Sequence, residues 1–167
     1  MPAYRNYHGW ITLDYDISVK SAQRQTGGNI DNYQLDELDS ALKYCKNFRT
    51  AIDIGAHIGM ISNQLSKRFD TVESFEIDTD VFECLKQNMQ NKCSNVNIYN
   101  FGIGDSEKKV DLRKTAKTFS THVIHNSTGD YMIKSLDQIN LNNVDFIKID
   151  AEGFEPLIAK GAFQTII

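Results

Sequence analysis

The sequence lacks paired cysteines, an excess of basic residues and a long apolar run. Its three cysteines, Cys45, Cys84 and Cys93, form no C-x-x-C pair and show no metal-ligand spacing, which argues against a zinc ribbon or a thioredoxin-like redox centre. Scattered thiols in odd number fit reduced cysteines inside a cell. Lysine and arginine number 18 against 22 aspartates and glutamates, a net charge of -4. A domain that grips a phosphate backbone usually carries a basic surface, so nucleic acid is not expected as the main partner. The N-terminus from Met1 to Trp10 is polar and aromatic, without the apolar centre of a signal peptide, and no uninterrupted apolar run reaches bilayer length. The expectation is a cytoplasmic protein with no membrane partner. Internal repeats and low-complexity tracts are absent too. No His, Cys, Asp or Glu spacing suggests a metal site: Asp145 and Asp150 share one expected strand at odd separation and so face opposite sides. No catalytic metal is expected.

What is present reads as one α/β domain. At 167 residues the chain can bury a core without disulfide staples. Residues 1–30 read as an N-terminal extension able to add a strand: Trp10 to Ile17 has strand-like content, and Gly27-Gly28 then breaks the chain. Residues 31–167 read as the main domain. Asp31 looks like an N-cap, with Gln34 in the capping-box position, and Leu35, Leu38, Leu42 and Cys45 recur at helical spacing, so a helix is expected over 32–46. Strands follow at 49–54, 71–76, 96–101 and 144–150, with a short extra one at 109–113. Helices are expected over Ile58 to Phe69, Asp80 to Asn91, Ser135 to Ile139 and Phe154 to Ile166, the last interrupted at Gly161. The polar stretch 114–130 reads as a long loop. Alternating strands and helices imply a parallel sheet covered on both faces, with its ligand beyond the carboxyl ends of the strands.

The first strand ends in Asp53-Ile54-Gly55-Ala56-His57-Ile58-Gly59 and a helix starts at once. Glycines allow a tight turn, and a helix N-terminus offers N–H groups to an anion. A dinucleotide loop would show G-x-G-x-x-G, and this one lacks the middle glycine and carries a carboxylate two residues ahead of the first. That carboxylate would repel a pyrophosphate and suit an ammonium and a sulfonium, which S-adenosylmethionine carries. Glu76, at the end of the second strand, stands where a carboxylate accepts hydrogen bonds from ribose hydroxyls.

Ala51 to Gly59, then Ser74-Phe75-Glu76, then Lys148-Ile149-Asp150-Ala151-Glu152-Gly153-Phe154-Glu155 resemble the motifs of FkbM-type methyltransferases, and Ser135-Leu136-Asp137 and Gly161 fit the same pattern. The likeness spans about residues 30–165. His57 and Ile77 depart from it, the family commonly having Asn and Pro there. The resemblance implies a Rossmann-like class I methyltransferase fold, a three-layer α-β-α sandwich with a mainly parallel sheet. It also implies S-adenosylmethionine as donor, leaving as S-adenosylhomocysteine, and a hydroxyl of a sugar or other small metabolite as acceptor. Carried onto this chain, Asp53, Gly55, Ala56, His57 and Gly59 would line the methionine end of the cofactor. Glu76 would bind ribose, Ile77 would pack on adenine, and Phe101 and Gly102 would border it. Asp150 would stand near the transferred methyl.

A hydroxyl acceptor needs a base. Asp150 and Glu152 are the expected candidates, with Lys148 pairing Asp150 from the same face of the strand, and His122 in the polar stretch is a third. His125 shares that stretch. The family's sheet has seven strands and four are readable here, so the chain is expected to lack the usual C-terminal strands, as a fragment, as a reduced form, or with a second copy or a partner covering the sheet edge. Competing readings are an NAD(P)-binding Rossmann enzyme and a non-catalytic cofactor-binding scaffold.

Overall fold

The computed structural model describes residues 2–114, 121–124 and 129–167. The chain opens with strands β1 (Tyr4–Tyr7) and β2 (Trp10–Leu13), paired antiparallel. His8 and Gly9 turn the hairpin with both φ angles positive, at 51° and 83°, the hand that matches the twist of the strands. Of the strand-like stretch Trp10 to Ile17, only the first four residues are strand. The chain then bends, with the Asp16 N–H bonded to the Leu13 carbonyl at 3.0 Å, and helix α1 (Ser18–Gln25) follows. This helix buries only Val19 and Ala22, too few apolar positions to show as a period in the sequence.

The helix expected over 32–46 is shorter. A 3-10 turn at Ile30–Asn32 precedes helix α2 (Leu35–Leu42). Asp31 does not cap it: its carboxylate accepts the Trp10 indole N–H at 3.2 Å, and Asn29 accepts the Asp31 N–H. Gln34 sits in the left-handed region at φ 53°, and its carbonyl accepts the Leu38 N–H at the start of α2.

The main alternation is strand β3 (Thr50–Ile54), helix α3 (Met60–Leu65), strand β4 (Thr71–Phe75), helix α4 (Thr79–Lys92) and strand β5 (Val96–Tyr99). Next come strands β6 (Gly102–Gly104), β7 (Lys108–Lys114), β8 (Thr121–Ile124) and β9 (Tyr131–Ser135). Helix α5 (Leu136–Ile139) starts at a Ser135/Gln138 capping box and leads to strand β10 (Val144–Ile149). Helices α6 (Glu155–Gly161) and α7 (Phe163–Ile166) close the described residues. The break expected at Gly161 has a packing cause: a Cβ there would stand 1.9 Å from the Gly104 carbonyl oxygen.

The central sheet runs β10-β3-β4-β5, all parallel. Side chains alternate across it. Ala51 and Val72 pack against Leu38 and Leu42 of α2 and Ile61 and Leu65 of α3. Ile52, Ile54 and Phe75 point the other way, onto Ile103, Ile133, Leu136 and Ile158. A sheet of consecutive parallel strands joined by helices is Rossmann-like. Its second face is covered by α5 and α6 together with a small mixed sheet, ordered β6-β9-β7-β8. Strand β9 and the β8 segment of the polar stretch alternate only weakly between apolar and polar residues, and neither stands out in the sequence.

The N-terminal hairpin pairs with itself and not with the central sheet. It is held to α4 instead: Asn88 accepts the Ile11 N–H at 2.8 Å and donates to the Ile11 carbonyl at 2.9 Å, while also donating to the Ile58 carbonyl at 2.9 Å. One buried amide thus ties hairpin, helix and glycine loop together. No helix among the described residues is long and apolar enough to cross a membrane.

Candidate functional site

A cavity of about 480 Å³ opens at the carboxyl ends of β3, β4 and β10, within the range of small-ligand sites. The loop after β3 forms its floor. Gly55 sits at φ 74° because β10 comes so close: a Cβ would lie 1.9 Å from the Asp150 carbonyl oxygen. Gly59, at φ 94°, faces Met89 and Leu85 of α4 rather than the cavity. Both glycines therefore serve packing, and the close approach they permit is of protein, not of ligand. The loop amides are also engaged. The N–H groups of Gly55 and Ala56 both donate to the Phe75 carbonyl at 3.0 Å, that of Gly59 donates to the Ala56 carbonyl at 2.9 Å, and that of His57 donates to Glu76 Oε2 at 2.9 Å. The loop was expected to offer free N–H groups to an anion, and these four are already bonded.

Glu76 follows β4 directly and lines the cavity while only 8% exposed. Its Oε1 accepts the Asp78 N–H at 2.8 Å and its Oε2 the His57 N–H. Burial pushes its carboxyl above the usual range, against the pull of these two N–H groups and of His57. Each carboxylate oxygen has a second lone pair free of those bonds. Ile77, Gly102, Ile103 and Ile133 form an apolar wall beside it.

Asp53 does not line the cavity. It is fully buried, accepts the Ser62 hydroxyl at 2.6 Å, and Ser62 in turn accepts from Ser74 at 2.9 Å. Its other oxygen lies 3.0 Å from Lys148 Nζ, an ion pair without the alignment of a hydrogen bond. Lys148 Nζ donates to the Gly55 carbonyl at 3.0 Å and stands 3.9 Å from Asp150. The lysine lines the cavity and the aspartate stands behind it, so the charge expected to meet a sulfonium directly is matched by Lys148.

Asp150 and Glu152 stand in the wall across from Glu76. The Asp150 side chain is 66% exposed. Beyond it the chain turns through Glu152 at φ 48° and Gly153 at φ 92°, and Glu155 fixes the turn by accepting the N–H groups of Ala151 and Gly153, both at 3.2 Å. Glu155 is thus the clamp of the motif, and Asp150 and Glu152 are its open carboxylates. Phe101 falls outside the wall, its ring packed on Phe75 at 5.5 Å and Tyr99 at 5.7 Å. The candidate base His122 is on β8, but its side chain lies outside the described residues, as does His125.

Several residues that no sequence pattern singles out for the site line the cavity from the N-terminal side: Ile17, Ser18, Ser21, Tyr33 and Gln34. Burial first and then the Asp150 charge raise the Tyr33 phenol above its ordinary value. Asp16 lies behind them and reaches the loop, its Oδ2 standing 3.2 Å from His57 Nε2. The left-handed backbone of Gln34 and the bend at Asp16 create this wall, and neither has a local pattern. Among the described residues no group of three His, Cys, Asp or Glu side chains is placed to hold a metal ion.

No protein-family model matches the chain, and no curated protein matches it by sequence. Similar solved structures include Trm5b from Pyrococcus abyssi, at 21% identity over 42% of this chain and 23% of that one, with a TM-score of 0.36. Phosphoethanolamine N-methyltransferase 1 from Haemonchus contortus, solved with phosphoethanolamine and S-adenosylhomocysteine, is 17% identical over 58% of this chain and 23% of that one, with a TM-score of 0.35. The N-terminal domain of human METTL16, solved with SAH, is 16% identical over 59% and 49%, also at 0.35. The chain spans about a quarter to a half of the length of these proteins.

Proposed function

We propose that this chain binds S-adenosylmethionine in the cavity between Glu76 and Asp150 and transfers its methyl group to a hydroxyl of a small molecule, as a class I methyltransferase of the FkbM type. The observation that carries this reading is Glu76: a buried carboxylate at the end of β4, fixed by two backbone N–H groups, with lone pairs left for a diol and an apolar wall beside it. A ribose pair on Glu76 puts the adenine against Ile77 and Gly102 and directs the rest of the nucleoside toward Lys148 and Asp150.

The loop geometry speaks against the dinucleotide reading. A pyrophosphate needs a row of free backbone N–H groups, and those of Gly55, Ala56, His57 and Gly59 are bonded within the protein. Lys148 offers no free positive charge either, being paired with Asp53.

Methyl transfer to a hydroxyl moves CH3 from the sulfonium to the acceptor oxygen, leaves a neutral thioether, and releases the hydroxyl proton to a base. Asp150 is the group we assign to that proton, with Glu152 orienting the acceptor. Lys148 Nζ stands 3.9 Å from Asp150, on the same side of the cavity. The acceptor enters past Tyr33 and Gln34.

Calorimetry with S-adenosylhomocysteine and with NAD tests the reading. Saturable binding of the former and none of the latter is expected, with Glu76→Ala weakening it at least about tenfold through loss of charge-assisted hydrogen bonds. Binding of NAD without S-adenosylhomocysteine contradicts it. Loss of methyl transfer in Asp150→Ala, with the affinity for S-adenosylhomocysteine kept, separates a catalyst from a scaffold.

A further inference from the structure

We infer that Asp16 is a positioning residue for the nucleoside end of the cavity, acting through His57 on Glu76; this deepens the donor reading and rests on it. Asp16 belongs to no strand or helix and is 2% exposed. Its carboxylate is fixed before it meets the loop: Oδ2 accepts the Thr12 hydroxyl at 3.0 Å and Oδ1 accepts the Ser18 N–H at 2.7 Å. Arg5 donates to its carbonyl at 2.6 Å. So held, Oδ2 lies 3.2 Å from His57 Nε2.

His57 carries the coupling. Its ring meets Asp16 and its N–H meets Glu76 at 2.9 Å, so one residue links two buried carboxylates from distant parts of the chain. It does this at φ 52°, a conformation that a non-glycine residue keeps only when its surroundings hold it there. With Gly55 and Gly59 on either side, the loop has little conformational preference of its own. The anchored ring supplies the restraint that keeps the His57 N–H aimed at Glu76 when ribose hydroxyls compete for the same oxygens.

The charged groups around His57 are Asp16 from the segment before α1, Glu76 after β4 and Lys148 on β10. Burial opposes a charged imidazole, but Asp16 and Glu76 outweigh it, and the ring titrates above its ordinary value. The Asp16 carboxyl is pulled down by the same contact despite its burial. The linkage is therefore ionic at mildly acidic pH and is lost as pH rises through the raised His57 value.

Two variants of the full chain test the linkage. Asp16→Asn keeps an acceptor for the Ser18 N–H and removes the charge. His57→Asn keeps a residue that tolerates the left-handed region and removes the ring. Without any ligand, amide hydrogen exchange at position 57 at pH 6, relative to the intrinsic rate of the residue there, is expected to speed up about tenfold in either variant, with the amides of Ile52 and Val72 unchanged. Unchanged protection of the amide at position 57 in both overturns the proposal. With S-adenosylhomocysteine, the wild-type affinity is expected to fall as pH rises through the His57 titration. Asp16→Asn is expected to bind about tenfold more weakly at pH 6 and to lose that pH dependence. Wild-type affinity with the wild-type pH profile in Asp16→Asn also overturns it. If the wild type binds no S-adenosylhomocysteine, the donor reading fails, and the His57 exchange rate still decides the linkage.

Discussion

Gly55 and Gly59 look alike in the sequence and differ in what surrounds them. Alanine at 55 would drive its Cβ into the backbone carbonyl of Asp150, which cannot move without shifting β10, whereas alanine at 59 meets the tips of Met89 and Leu85. Both positions also lie at positive φ. Gly55→Ala is expected to cost at least about 3 kcal/mol and Gly59→Ala about 1–2 kcal/mol, read as shifts of the urea unfolding midpoint at unchanged slope. Equal costs would mean that backbone conformation, not the approach of β10, sets the requirement. Glu76 was legible from its place at a strand end, because a carboxylate there has few purely structural reasons to exist. Asp53 was legible as important but not in its role: nothing in one sequence shows that Lys148, far along the chain, comes within 3.0 Å of it.

At the scale of elements, the strands of the central sheet and the helices between them were readable because their apolar positions recur with a clear period. The elements without such a period were not. Helix α1 has two buried positions, and α2 starts late because Gln34 turns left-handed and Asp31 bonds Trp10 instead of capping. Helix α1 and the turn before α2 supply the N-terminal wall of the cavity, so the sequence showed the Glu76 side of the site and not the side facing it. Asn88 is the joint between the two. It fills three hydrogen bonds to backbone groups of β2 and the glycine loop while 1% exposed. Asn88→Ala leaves those groups without partners and is expected to destabilise the chain by about 2–3 kcal/mol, measured by thermal or chemical unfolding. A loss below about 0.5 kcal/mol would show that the hairpin is held by its apolar contacts alone.

For the molecule as a whole, the contact between Asp16 and His57 makes stability depend on pH in a defined window. The lowered pKa of Asp16 gives stability that is present above its ordinary value of 3.8 and is lost as pH falls through the lower folded value. The raised pKa of His57 gives stability that is full below its ordinary value of 6.5 and is lost as pH rises through the higher folded value. The difference in unfolding free energy between wild type and Asp16→Asn is therefore expected to be largest between pH 3.8 and 6.5 and to shrink on both sides. A difference independent of pH would show that Asp16 acts only as a hydrogen-bond acceptor for Thr12 and Ser18.

In the proposed reading, the sheet, the engaged loop amides and the buried carboxylate at the end of β4 form a nucleoside site opposite two open carboxylates. The measurement that tests this most directly is a crystal structure of the chain with S-adenosylhomocysteine. Both ribose hydroxyls are predicted within hydrogen-bonding distance of Glu76, with the adenine against Ile77 and Gly102 and the sulfur turned toward Asp150. A nucleoside lodged away from Glu76, or crystals that take up NAD and refuse S-adenosylhomocysteine, would contradict it.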